Sequence, residues 1–149
     1  MSTYRQTDPE GRGVQRYGSV IRLRPEHRDS YLRLHAAVWP EVEQALLAAN
    51  IRNYTIFLHG DLLFGYYEYV GDDHDADQAR IAADPHTQQW WELTDPCQQS
   101  LADPESGQWW ASMQQVWHLT EPAPPTGPNL TPGTGLSQPP TVGAPPAHP

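Results

Sequence analysis

The chain has 149 residues, with six Trp, seven Tyr and two Phe, and every one of these rings lies before Glu121. The last 29 residues hold 10 of the 16 prolines, so the globular part ends near residue 120, which excludes a multi-domain enzyme. Nine Arg and no Lys stand against 18 acidic residues, for a net charge of −9; that balance repels phosphate backbones and excludes nucleic acid as the expected partner.

Residues 1–15 are polar and read as a loose leader, without the apolar stretch of a signal peptide. From Tyr17 to Leu23 the residues alternate, with Tyr17, Ser19, Ile21 and Leu23 on one face, which predicts a half-buried strand. Pro25 suits a first helical turn. Beyond it Tyr31, Leu34, Val38, Val42, Leu46 and Ala49 recur in steps of three or four, the spacing of an amphipathic helix. Pro40 inside that pattern removes a backbone donor and predicts a kink or restart near Trp39.

Ile51 to Leu58 is β-branched and aromatic, and Leu62 to Val70 is its expected partner across the hairpin signal His59-Gly60-Asp61. Gly65 within the second strand predicts a bulge or the close approach of another group. The acidic run from Asp72 opens a helix that Asp84-Pro85 breaks, and Thr87 to Leu93 reads as a second short helix. Thr94 to Gly107 is loop-like, and Trp109 to Leu119 is expected to end in a last strand at Gln115-Val116-Trp117-His118-Leu119. Residues 121–149 have the composition of a flexible, partly polyproline-like tail. No run approaches the ~18 apolar residues of a membrane helix, so no membrane partner is expected. The single cysteine, Cys97, cannot close an internal disulfide, and the cytoplasm is the expected compartment. The resulting order, β-α-β-β-α-(α)-β over residues 16–120, is the α+β, ferredoxin-like βαββαβ pattern. One sheet face stays uncovered in such a domain, and face-to-face pairing into a homodimer is the expected remedy.

Tyr31 and His35 are four residues apart and share the apolar face of the first helix. Tyr54 in the following strand adds a second phenol, and Trp90 and Trp91 add two flat indoles. Each ring can be plain core. Together they also fit a pocket for a monosaccharide, whose C–H face stacks on indole and whose hydroxyls need donors and acceptors. Imidazole is the side chain able to give or take a proton near neutral pH. Asp73, Asp75 and Asp77 match the start of a calcium loop, but Gln78 replaces its glycine and Asp84 its glutamate, so the run reads as a solvated helix start and no metal is expected. The scattered His residues lack zinc spacing. Cys97 reads as structural, and no phosphate loop or nucleophile elbow is present.

The segments RYGSVIRL, YLRLHAAVWPEV, IRNYTIFL, LLFGYYEYVGDD, AADPHTQQWW and WHLT resemble the L-rhamnose mutarotase family from about Arg16 to Thr120. The resemblance implies a dimeric α+β barrel of ferredoxin-like subunits that interconverts the α and β anomers of L-rhamnose without metal or organic cofactor. By motif, the family's proton donor falls on His35, its substrate-binding tyrosines on Tyr31 and Tyr54, and its paired tryptophans on Trp90 and Trp91. The Thr94–Trp110 stretch, with its second pair Trp109-Trp110, and the proline-rich tail lie outside those motifs. The reading is therefore an aldose 1-epimerase acting on L-rhamnose or a related 6-deoxyhexose. Two alternatives stand beside it: a cofactor-free monooxygenase on the same architecture, and a non-catalytic sugar-binding module.

Overall fold

The computed structural model describes residues 13–122. The expected leader and tail fall almost wholly outside them. The described chain forms a single antiparallel sheet with four α-helices. The strands are β1 (Gln15–Leu23), β2 (Ile51–His59), β3 (Leu62–Tyr69), β4 (Gln98–Gln99) and β5 (Ala111–Met113). The helices are α1 (Arg28–His35), α2 (Pro40–Ala48), α3 (His74–Ala83) and α4 (Pro85–Thr94). The sheet order is β2-β3-β1-β4, with β5 also on β1, and every pairing is antiparallel. This is the α+β, ferredoxin-like arrangement that the element order predicted. The place of the final strand is shared: β4 pairs with Arg22 and Leu23, while β5 pairs with Gly18 to Val20.

That sharing corrects the position of the last strand. Residues 115–119, expected to form it, have no regular structure, and Val116 and Trp117 are 92 % and 75 % exposed. An apolar pattern makes a strand only where an edge accepts it, and the registered pairing on β1 stops at Gly18 with Met113. The loop-like stretch after Thr94 hides β4 and two short 3-10 turns.

Elsewhere local chemistry decides the element bounds. Pro40 forces Trp39 into an extended conformation (φ −64°, ψ 133°), so the long apolar pattern divides into α1 and a restarted α2. Asn50 takes a left-handed φ of 64° after α2, a conformation Asn tolerates better than most residues. Gly60 supplies the positive φ of the tight turn between β2 and β3. Gly65 is a close approach, not a bulge: a Cβ there would stand 3.2 Å from Ser19 Oγ and 3.3 Å from the Trp110 ring. The irregularity of the sheet lies instead in β2, between Arg52 and Thr55.

Residues of the helix-facing side of the sheet join the helices in two clusters. Ile21, Leu23, Tyr31, Leu63 and Cys97 form one; Ala49, Ile51, Tyr69 and Ile81 form the other. Each buried aliphatic side chain stabilises the fold by about 1.5–3 kcal/mol over its exposed state. The other side of the sheet carries Phe57, Phe64, Val20 and Ala111 in register across four strands. None of the described helices is long and apolar enough to cross a membrane.

Candidate active site between the sheet and the helices

A cavity of about 820 Å³ opens between the two clusters, and residues of both line it. Tyr31, His35, Tyr54, Trp90 and Trp91, the five residues expected from the sequence, all reach its wall. No arginine lines it among the described residues, so it suits a neutral, hydroxyl-rich ligand better than an anion.

The four-residue spacing on α1 stacks the Tyr31 and His35 rings, with centroids 4.1 Å apart. His35 Nδ1 lies 3.0 Å from the Tyr31 carbonyl oxygen. A carbonyl can only accept, so Nδ1 carries the hydrogen and Nε2 keeps its lone pair in the neutral ring. Burial lowers the His35 pKa below its ordinary 6.5, and the bond to the Tyr31 carbonyl offsets part of that shift. The ring is therefore neutral at pH 7, with Nε2 as a base. Trp90 meets His35 edge to face at 5.4 Å and Trp39 at 5.3 Å, so the indole holds the imidazole from the side. The Asp84 carboxylate fixes the start of α4, accepting from the Thr87 backbone N–H at 2.8 Å and the Thr87 hydroxyl at 2.9 Å.

Tyr31 is 2 % exposed. Gln98 Nε2 donates to its hydroxyl oxygen at 3.4 Å, while Gln98 Oε1 accepts from Trp109 Nε1 at 2.9 Å. An indole N–H only donates, so it fixes which way the Gln98 amide points. The Tyr31 oxygen thus accepts one bond and keeps its own proton to offer. Burial, with the Tyr54 phenol as the next cause, raises the Tyr31 pKa well above 10.

Tyr54 owes its place to the irregularity in β2. Arg52 faces Glu68 and Thr55 faces Tyr66, so Asn53 and Tyr54 together oppose Tyr67. Asn53 has a φ of 51°, and its side-chain amide donates to Glu68 Oε2. Simple alternation from Ile51 would turn Tyr54 away from the helices; the extra residue of the bulge turns it back. The residue as a whole is 42 % exposed, but it lines the cavity, and burial pushes its phenol up to about 12.

Other residues complete the wall. Gln98, Trp109 and Trp110 lie in or beside the loop-like stretch and had no motif to mark them, although the second tryptophan pair was a visible signal. Asp95 also lines the cavity, and burial raises its carboxyl pKa. The acidic run before α3 divides. Asp73 caps the helix, its carboxylate accepting from the Ala76 N–H at 3.1 Å. Asp77 is 5 % exposed and not solvated as expected: it binds the Tyr69 hydroxyl at 2.5 Å, Asn50 Nδ2 at 2.9 Å and Arg80 at 2.9 Å. Cys97 is buried in the first cluster, and burial raises its thiol pKa, as a structural cysteine requires.

An antiparallel sheet roofed by helices over a pocket of imidazole, phenols and indoles, without a lysine or arginine in its described lining, defines a ferredoxin-like domain suited to a neutral ligand. The sequence profile described as L-rhamnose mutarotase matches residues 16–119. An L-rhamnose mutarotase from Listeria monocytogenes is 35 % identical over 89 residues, covering 58 % of this chain and 83 % of the relative. Among solved structures, an L-rhamnose mutarotase from Formosa agariphila superposes with a TM-score of 0.56 at 20 % identity, over 71 % of this chain and 99 % of that one. Tetracenomycin F2 cyclase from Streptomyces glaucescens gives 0.51 at 16 % identity, over 72 % and 99 %, a likeness of fold alone. The chain belongs to the L-rhamnose mutarotase family, whose members are isomerases acting on carbohydrates.

Proposed function

We propose that the cavity catalyses mutarotation of L-rhamnose or a related 6-deoxyhexose, with His35 as the principal proton-transfer group. The observation that carries this reading is the tethering of His35 Nδ1 to the Tyr31 carbonyl, which leaves a neutral Nε2 beside phenols whose raised pKa keeps them protonated. Nε2 takes the proton of the anomeric hydroxyl as C1 and O1 become a carbonyl. The C1–O5 bond breaks, and O5 takes a proton from the hydroxyl of Tyr31 or Tyr54. A phenol at about 12 is still more acidic than the alcohol that O5 becomes. Rotation about C1–C2 presents the other carbonyl face. The bond re-forms, the phenol recovers its proton, and the imidazolium donates its own to O1. His35 thus acts as base before it acts as donor, whereas the sequence motif implies a principal donor. Trp90 and Trp91 stack on the sugar and exclude water. Every step moves a proton and none moves an electron, so the chemistry calls for no cofactor.

The acid and the base each contribute about 10²–10⁴-fold. His35→Ala should therefore lose at least about 10²-fold in anomer exchange, read by saturation-transfer NMR on L-rhamnose, while its circular dichroism matches wild type. Wild-type exchange in the folded variant would overturn the assignment. The apolar outer face of the sheet supports a homodimer, and a single, buried cysteine suits the reducing cytoplasm expected from the sequence.

A further inference from the structure

The cavity extends past Tyr54 to a second cluster of rings that the chemistry of one sugar ring does not use. The Tyr54 and Tyr67 rings are 5.7 Å apart; burial first, with the Tyr54 phenol among the lesser causes, raises the pKa of Tyr31 on one side and of Tyr67 on the other. Tyr54 thus stands between the His35 end and this second cluster. There, Tyr67 Oη and His74 Nε2 are hydrogen-bonded at 2.7 Å, and the two ring planes are 13° from parallel with centroids 6.1 Å apart. Tyr17 stacks on both, at 4.2 Å and 8° from His74 and at 5.1 Å and 20° from Tyr67. Gln78 Nε2, 3.5 Å from Tyr67 Oη, sets an amide at the rim. Tyr17, Tyr67, His74 and Gln78 all line the same cavity as His35.

Tyr17 stacks on Tyr67 and His74, so a pyranose would pack on an outer face of this aromatic stack, with hydroxyl, imidazole and amide groups at its rim. The C–H face of the sugar packs on the ring, and its hydroxyls bond at the rim. The volume points the same way. A cavity of about 820 Å³ lies high in the range of roughly 300–1,000 Å³ that holds drug-sized ligands, more than a single pyranose fills.

We infer that Tyr17, Tyr67 and His74 form a second sugar subsite, and that the substrate class includes reducing disaccharides whose 6-deoxyhexose reducing end sits at His35. The inference rests on the anomerisation reading above and adds the size of the substrate to it. Only the reducing residue has a free anomeric hydroxyl, so ring opening proceeds there as before and the glycosidic bond is untouched.

The test compares L-rhamnose with the (1→2)-, (1→3)- and (1→4)-linked rhamnosyl-rhamnoses, with anomer exchange at the reducing end read by NMR. Wild type should exchange at least one disaccharide with kcat/KM equal to or above that for the monosaccharide. His74→Ala removes one ring of the surface and leaves the Asp73 cap of α3 in place. It should lower disaccharide kcat/KM about tenfold, mainly through KM, and leave L-rhamnose exchange unchanged. Tyr67→Phe keeps the ring and removes the bond to His74; it should lower the disaccharide value in the same direction, and it carries the test if His74→Ala does not fold. The subsite is refuted, with the mutarotase reading intact, if wild type exchanges L-rhamnose and none of the disaccharides, or if the variants slow both substrates equally. Failure of wild type to exchange any of the four sugars would overturn L-rhamnose as the substrate, and the subsite for rhamnosyl-rhamnoses with it.

Discussion

In the proposed mechanism the two nitrogens of His35 divide the labour: Nδ1 is committed to a backbone carbonyl, which leaves Nε2 as the proton-transfer atom. The pH dependence follows from the sign of its shift. The reactive form is neutral, and burial lowers the pKa from 6.5, so kcat/KM should fall only as pH drops through that lowered value and stay level above it. A pH profile of anomer exchange with its acid midpoint below 6.5 agrees; a midpoint above 6.5 would mean that the imidazolium is the starting form. The four-residue spacing of Tyr31 and His35 was legible in the sequence because helical geometry fixes it. The tether on Nδ1 was not, because a backbone carbonyl carries no sequence signature. Gln98 was also illegible: its partners Tyr31 and Trp109 lie 67 and 11 residues away, and a glutamine in a loop-like stretch shows nothing until the chain folds.

One strand irregularity decides whether the site has its second phenol. Asn53 holds a left-handed φ, and without the extra residue Tyr54 would face away from the helices. Glycine takes that conformation freely, whereas a β-branched residue there costs about 1–2 kcal/mol or more. Asn53→Gly should therefore keep anomer exchange near wild type, and Asn53→Val should reduce it about as much as Tyr54→Ala does. Equal rates for the Gly and Val variants would detach the bulge from catalysis. The fourth strand position carries the complementary lesson. The predicted order of elements held, because periodicity and turn residues are local. The last strand was misplaced because pairing is not local: the edge of β1 takes Gln98–Gln99 and Ala111–Met113, while the more apolar Val116-Trp117 joins no strand. At the start of α3, the Tyr69 hydroxyl is buried against Asp77, a link that periodicity cannot reveal. Tyr69→Phe should cost about 1–3 kcal/mol in urea unfolding, while Asp75→Ala, on the exposed side of the same helix, should change stability little.

At the scale of the whole molecule, the two faces of the sheet have different fates. The helix-facing side is covered and carries the cavity; the other presents Phe57, Phe64, Val20 and Ala111 in one row, with Phe57 64 % exposed. No described helix is available to cover this row, because the β-α-β-β-α-β order puts the helices on one side. A second copy of the chain presents the same row and is the natural cover. An interface on this row would reach the cavity through β3, where outward-facing Phe64 and Tyr66 alternate with Gly65 and Tyr67 of the cavity side. Phe57→Glu puts a carboxylate at the β2 end of the row, on its most exposed ring, where burial in an interface without a partner costs several kcal/mol. Light scattering should give twice the chain mass for wild type and the single chain mass for Phe57→Glu. Exchange activity per chain should also fall in the variant, since β3 loses support on one face while its other face holds the pocket. A monomeric wild type would remove the dimer, and a monomeric variant with full activity would separate assembly from catalysis.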